Sequence, residues 1–409
     1  MKTSILPYPK KYEITCGSFD LSGCDICVID DLDSRIIKAA MKLRNALTEK
    51  TGTFHKFMRT ATPLNRSITI LKDIALSAEE YAICVEQDFV KIVGGDDAGC
   101  FYGIGTFLQI LEESDGKSLS AVSVKDKPDM KHRGYYYDVT RGRVPTVEGL
   151  KKIIDLLAKI KVNSLQIYVE HTFEFKEFES SNFAKENFLT AEEILEIDEY
   201  CYENFIDFIP SIATFGHLYE LLVKDEYKHL CELEDFKPDH HFWQERMSHH
   251  TIDPTNPESF LLISSLIDQY LPLFRSNYFN ICCDETFDLC KGKNKDKESS
   301  KLYIDFVSKI TKHITDAGKT VMMWADIALE HPEMLSQIPD DTIMLNWWYD
   351  ANPDPERFKK VKQQEKTQIV CPGTNSWRSL IELISISKQN IQRMAELGYQ
   401  NNAICPWGS

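Results

Sequence analysis

The chain has 409 residues, 43% of them hydrophobic and 27% charged, with a formal net charge of −16. That length and composition suit one large domain plus a smaller one, with a sizeable core. The acidic balance argues against a nucleic-acid backbone or an anionic membrane surface as partner and weakly favours neutral or cationic substrates.

The first residues, MKTSILPYPKKYEI, lack the long apolar core of a secretory signal. No run of about 18 apolar residues predicts a membrane span. The twelve cysteines are scattered, and Cys84, Cys282 and Cys283 sit inside apolar runs. Cys24 and Cys27 form one CDIC with no second pair, so a zinc site is not predicted. Reduced thiols and a cytoplasmic location are the expectation.

Residues 1–125 read as an N-terminal α/β domain. The stretch YAICVEQDFVKIV (81–93) alternates apolar and polar residues around Gln87 and Asp88, as a hairpin does. Asp96 or Asp97 can then cap a helix carrying Phe101, Ile104, Phe107, Leu108 and Leu111. Gly99, Gly103 and Gly105 predict one face of that helix packed closely on the sheet. No strand–GxGxxG–helix order is present, so this is not a phosphate loop. Lys125 to Lys131, with Pro128 inside, reads as a linker.

From residue 126 to 409 the pattern becomes periodic. Predicted strands at 134–139, 164–169, 205–213, 278–283, 320–325, 341–348, 367–373 and 401–407 alternate with helical segments. Eight such units in about 275 residues match a (β/α)8 TIM barrel, with an open doubly wound sheet as the alternative. A barrel demands functional groups just after its strands, at the C-terminal face. Asp138 and Arg141 follow the first strand, and Glu170 and His171 the second. Thr214, Gly216 and His217 follow the third, and Asp284 and Glu285 the fourth. Next come Trp324 and Asp326, then Trp347, Trp348, Tyr349 and Asp350, then Asn375 and Trp377, and last Trp407.

Five of the six tryptophans lie at these ends; Trp243 is the exception. An indole needs a partner for its N–H, so a ring of them suggests a pocket for a flat, partly apolar ligand with polar groups, as a sugar is. Glu170, His171, His217 and Asp284 could instead supply metal ligands, as in metal-dependent barrel lyases and isomerases. No HxH or HExxH spacing supports that use. No GxSxG elbow points to a nucleophilic serine.

The adjacent acids Asp284 and Glu285 close an apolar run, FNICC. Neighbours on a strand point in opposite directions, so the two are poorly placed to flank one glycosidic bond as nucleophile and acid. A substrate whose 2-acetamido oxygen is itself the nucleophile removes the difficulty. One acid then serves as acid/base and the other orients the acetamido N–H. Glu285, desolvated beside a second acid, is expected to have the raised pKa of a general acid, with Asp284 ionised.

These residues resemble glycoside hydrolase family 20, the β-N-acetylhexosaminidases. HRGYYYDVTRGR, IPSIATFGH, ICCDET, MMWAD and LNWWYD resemble the ends of the family's barrel strands one, three, four, five and six. YAICVEQDFVKIVGGDDAGCFYGIGTFLQIL resembles its small α/β domain. The resemblance covers roughly residues 75–409. It implies an exo-acting, retaining, substrate-assisted hydrolase of terminal β-linked N-acetylglucosamine or N-acetylgalactosamine, with no cofactor and no metal. Glu285 matches the general acid/base, Asp284 the acetamido-orienting carboxylate and Tyr349 the tyrosine that hydrogen-bonds the acetamido carbonyl. Arg141 matches the arginine on the outer hydroxyls, and His217 the histidine near the acid. Trp324, Trp348 and Trp407 match the aromatic wall, with the choice between Trp347 and Trp348 open and Trp377 a further wall residue. Asp350 is a weaker match. EHTFEF after strand two suggests the branch resembling intracellular bacterial enzymes and adds Glu170 and His171 as pocket residues.

One departure matters. The family usually continues past the segment around Trp407 with an acid and a last helix; here Gly408 and Ser409 follow. The eighth barrel unit is therefore expected to be incomplete, lacking its helix. That leaves open a truncated chain, a homodimer formed through the gap, or an impaired, sugar-binding relative. The partners expected are N-acetylhexosamine-terminated oligosaccharides or glycoconjugates, with no nucleic acid and no membrane.

Overall fold

The computed structural model describes residues 4–29, 32–62, 64–178, 188–234, 249–375, 380–403 and 405–408. Two compact units emerge. One comprises Met1–Asp129 with Ile154–Val162 and Glu203–Phe205; the other comprises Met130–Ile153, Asn163–Tyr202 and Ile206–Ser409.

In the first unit the strands are β1 (Lys11–Asp20), β2 (Asp25–Ile29), β3 (Phe57–Thr60), β4 (Ser67–Lys72), β5 (Tyr81–Val85), β6 (Val90–Gly94) and β7 (Ser118–Asp126). They form one sheet in the order β1-β7-β5-β6-β4-β2-β3. The alternation at 81–93 becomes the antiparallel pair β5–β6, closed by Glu86 N–H donating to Phe89 O at 2.9 Å. Helices α1 (Ser34–Thr51) and α2 (Asp97–Glu113) bury Leu43, Leu47 and Phe107 in the same core as Ile26, Ile68 and Ile92 of the sheet. Asp96 caps α2 by accepting Gly99 N–H at 2.7 Å. Close packing holds for two of the three helix glycines. A Cβ at Gly99 would lie 2.4 Å from Glu80 O and one at Gly103 2.7 Å from Ile92 Cγ2, whereas Gly105 faces open space.

The second unit is a closed barrel of eight parallel strands. These are β8 (Gly134–Asp138), β9 (Ser164–Val169), β10 (Asp207–Ile212), β11 (Tyr278–Asn280), β12 (Thr320–Trp324), β13 (Ile343–Trp348), β14 (Gln368–Pro372) and β15 (Cys405–Gly408). The ring of strands is complete: β15 pairs with β14 at Ile369↔Cys405 and with β8 at Trp407↔Gly134. The helices along this part of the chain are α3 (Val147–Lys159), α4 (Ala191–Glu203), α5 (Tyr219–Leu222), α6 (Pro257–Tyr270), α7 (Ser299–Asp316), α8 (Asp326–Glu330), α9 (Pro355–Gln363) and α10 (Ile384–Gln400). Among the described residues, no helix is long and apolar enough to cross a membrane.

One predicted strand is cut short, and the difference shapes the site. The apolar run through Cys283 reads as strand, but β11 ends at Asn280. The Asn280 side chain accepts Cys282 N–H at 2.9 Å and donates to Gln166 at 2.9 Å inside the barrel. Cys282 and Cys283 then adopt left-handed backbone angles, φ 58° and 62°, which end a pleated strand. An asparagine side chain competing for the backbone is a local signal that hydrophobic periodicity does not register.

Candidate active site

Strand ends β8, β9 and β10 bring three predicted residues together. Arg141, on the loop after β8, pairs with Asp138 and donates to Glu170 Oε1 at 3.1 Å. Its guanidinium carbon lies 5.2 Å from the centre of the Tyr168 ring, and the Tyr168 hydroxyl donates to the same Glu170 oxygen at 3.0 Å. His217, after β10, has Nδ1 3.5 Å from that oxygen too. One buried carboxylate, Glu170, thus ties an arginine, a tyrosine and a histidine at the barrel mouth.

The other ring nitrogen of His217 faces the acid pair. Nε2 lies 3.5 Å from Asp284 Oδ2 and 3.2 Å from Glu285 Oε2. The two acids therefore point to the same side, contrary to the strand-based expectation. The left-handed residues Cys282, Cys283 and Glu285 (φ 50°) undo strand alternation at this point. Gly216 allows the approach: a Cβ there would stand 2.5 Å from the Asp284 carbonyl oxygen.

Charge follows the geometry. Burial pulls the His217 pKa down, but Asp284, Glu285 and Glu170 outweigh it and raise it to about 10. Burial pushes the Asp284 carboxyl up, yet His217, its own backbone N–H and Arg141 hold it below the usual range. The raised carboxyl of the group is Asp326, at the start of α8. Burial first, and then the charge of Asp284, pushes it up to about 7. Its Oδ2 accepts the backbone N–H of Glu285 at 3.0 Å. Glu285 is the more open member of the acid pair, with a side chain 34% exposed against 18% for Asp284. His217, Asp284 and Glu285 offer atoms within 4.8 Å of one another, a spacing that could gather a cation.

Tyr349 follows β13. Burial, then the charge of Asp284, pushes its phenol well above the ordinary value, with Glu285 and Asp326 adding to the effect. Asn375 donates to its backbone carbonyl at 2.8 Å. Trp324 is buried, its ring edge-to-face with Tyr136 at 5.1 Å.

One expectation needs correction, and two further residues are placed. Trp347, not Trp348, shares the face of Tyr349: those two rings stack at 4.8 Å and 24°. Trp348 points the other way and packs against the cluster of Phe358, Val370, Met394 and Leu397, because successive strand residues alternate. His171, beyond the end of β9, is buried with its ring 6.5 Å from that of Phe178. Asp350 has an exposed side chain and enters the hydrogen bonding through its carbonyl, which accepts from Asn390 at 2.7 Å. Trp377 lies outside the described residues, as does the side chain of Trp407, whose backbone closes the barrel.

Sequence reasoning missed Tyr168 and His250. Tyr168 was legible: Gln166 and Tyr168 share one face of β9 at period two, and Glu170 follows just past its end. His250 was not, since its stretch has neither strand nor helix period. Its ring stands 4.6 Å from that of His217, and its Nε2 lies 3.0 Å from Glu285 O and 3.3 Å from His217 N. That nitrogen can donate to the carbonyl or accept from the amide, one at a time.

Residues 130–378 match the catalytic domain of glycosyl hydrolase family 20, and residues 2–127 match domain 2 of the same family. The chain belongs to glycosyl hydrolase family 20. It is 29% identical over 361 residues to a β-hexosaminidase of Porphyromonas gingivalis, covering 79% of this chain and 45% of that protein. Hexosaminidase D of Bos taurus is 26% identical over 227 residues, covering 52% of this chain and 62% of that protein. The chain thus spans less than two thirds of the length of these relatives. Among solved structures, a Flavobacterium johnsoniae chitobiase superposes with a TM-score of 0.72 at 22% identity, over 90% of this chain and 59% of that one. The N-acetyl-β-hexosaminidase of Streptomyces plicatus, in complex with Thio-NAglucal, gives 0.73 at 16% identity, over 99% and 85%. At such identities the structures speak for the family-20 fold.

Proposed function

We infer that this chain is an exo-acting β-N-acetylhexosaminidase, retaining and substrate-assisted, acting on terminal β-linked N-acetylglucosamine or N-acetylgalactosamine of oligosaccharides or glycoconjugates. One observation carries the reading: both acids of the pair reach the same nitrogen of His217. Carboxyl groups that share one nitrogen lie on the same side of it, which does not suit a nucleophile and an acid on opposite faces of one bond. A nucleophile carried by the substrate fits this arrangement. The acetamido oxygen attacks the anomeric carbon as the glycosidic C–O bond breaks, and Glu285 gives its proton to the leaving oxygen. Asp284, held ionised by His217 and Arg141, accepts the acetamido N–H as positive charge grows on the ring that forms. Tyr349 donates to the acetamido oxygen. Water then adds at the anomeric carbon and returns a proton to Glu285.

In this reading Arg141, Glu170 and Asp138 bind outer hydroxyls, and Trp324 with Trp347 forms the apolar wall. A reducing, cytoplasmic setting belongs to the same proposal; the eleven described cysteines are free thiols. Hydrolysis of an aryl N-acetyl-β-glucosaminide, with competitive inhibition by a thiazoline analogue of the cyclic intermediate, is the expected result. Thiazoline binding without turnover would favour a sugar-binding relative instead.

A further inference from the structure

Glu285 is a bulky residue in the left-handed region, shortly after two others, Cys282 and Cys283. Such a backbone persists only when its surroundings hold it. The peptides just before it are held by neutral groups. Thr214 Oγ1 donates to Ile281 O at 2.6 Å, Trp324 N–H to Cys282 O at 3.0 Å, and the Tyr303 hydroxyl to Cys283 O at 2.7 Å. At Glu285 the partners change in kind. Its N–H is taken by the Asp326 carboxyl at 3.0 Å, and its carbonyl oxygen, which accepts Phe287 N–H at 2.7 Å, also lies 3.0 Å from His250 Nε2. Both side chains are buried, and Asp326 Oδ1 has no hydrogen-bond partner among the described residues. Ionised or protonated, the carboxyl keeps an oxygen that can accept that N–H. A buried acid beside two others is costly to keep, and the nearby charge of Arg357 offsets part of that cost.

We propose that Asp326 and His250 are positioning residues that clamp the Glu285 peptide from its two ends and so aim the Glu285 carboxyl at the leaving-group oxygen. This rests on the reading of Glu285 as the general acid. Neither residue touches the substrate; each acts through Glu285. The clamp therefore matters in proportion to how much a substrate needs its leaving oxygen protonated, which a merely structural role would not reproduce.

The test measures kcat and KM of wild type, Asp326→Leu, Asp326→Asn and His250→Phe on two substrates. One is a β-linked N-acetylglucosamine disaccharide, whose leaving group needs an acid; the other is a dinitrophenyl N-acetyl-β-glucosaminide, whose leaving group does not. Asp326→Leu should lose about 100-fold in kcat on the disaccharide and less than about tenfold on the aryl substrate, with KM nearly unchanged. Asp326→Asn keeps a carbonyl acceptor and should recover part of that loss. His250→Phe should show the same substrate split, more weakly, and provides the readout if Asp326→Leu does not fold. All variants should still bind the thiazoline analogue, which has no leaving group. Equal losses on both substrates, no recovery by Asn, or loss of thiazoline binding in the folded variants would overturn the clamp alone. A wild type inactive on both substrates would overturn the functional reading and the clamp with it.

Discussion

His217 Nε2 stands 3.2 Å from Glu285 Oε2, and the imidazole carries its proton far above the pH at which a free histidine loses it. The sign of the consequence is set by linkage. A group whose pKa is raised by folding, here from 6.5 to about 10, stabilises the fold fully below pH 6.5 and loses that contribution as pH rises through about 10. His217→Gln should therefore be less stable than wild type by roughly 3 kcal/mol near neutral and mildly acidic pH, since three carboxylates lose a shared buried cation. The deficit should shrink steadily as pH approaches 10. Denaturant melts of both proteins across that range check this; a deficit independent of pH would refute the assignment of charge to His217.

In the proposed mechanism the two acids divide the chemistry, so their variants should differ. Glu285→Gln should lose on the order of 100-fold or more on substrates with poor leaving groups and far less on activated aryl glycosides, because only the former need a proton. Asp284→Asn should lose by similar factors on both, since attack by the acetamido oxygen is common to both. Side-by-side kcat values on the two substrate types decide it. Equal losses for Glu285→Gln would remove it from the acid role.

The strands of the barrel were legible because each is a short apolar run followed by a helical period, and the strand ends pointed to the mouth. The acid pair was legible as a pair, but its geometry was not. The apolar run 279–283 reads as pleated, but the Asn280 side chain ends the strand three residues earlier. Positive φ at Cys282, Cys283 and Glu285 leaves no mark in residue type, as it would with glycine. Alternation could have separated Trp347 from Trp348, given one anchor on the strand. Tyr349 supplies that anchor for β13, two residues after Trp347.

The grouping of His217, Asp284 and Glu285 yields a clean statement about metals. In the proposed mechanism His217 serves as a hydrogen-bond partner of the two acids, with no cation shared among the three. Activity should therefore be unchanged, within about twofold, after dialysis against a strong chelator, and added divalent metal should not raise it. Loss on chelation with recovery on adding metal would support a metal-dependent lyase or isomerase chemistry instead.

Trp347 and Trp348 are neighbours with opposite surroundings, and truncating each should separate binding from folding. Trp347 stacks on Tyr349, and the guanidinium of Arg357 lies 5.9 Å from its ring centre. Removing that ring takes away wall surface and a constraint on Tyr349. Trp347→Ala should raise KM about tenfold or more, with a modest fall in kcat and little change in melting temperature. Trp348 fills the layer between β13 and the helices, against Phe358 of α9 and Met394 and Leu397 of α10. Trp348→Ala leaves a cavity there and should cost about 3 kcal/mol of stability, with KM close to wild type in the fraction that folds. Thermal melts and Michaelis constants on both variants check the assignment. If Trp348→Ala raises KM while leaving stability intact, the two faces of β13 have been exchanged.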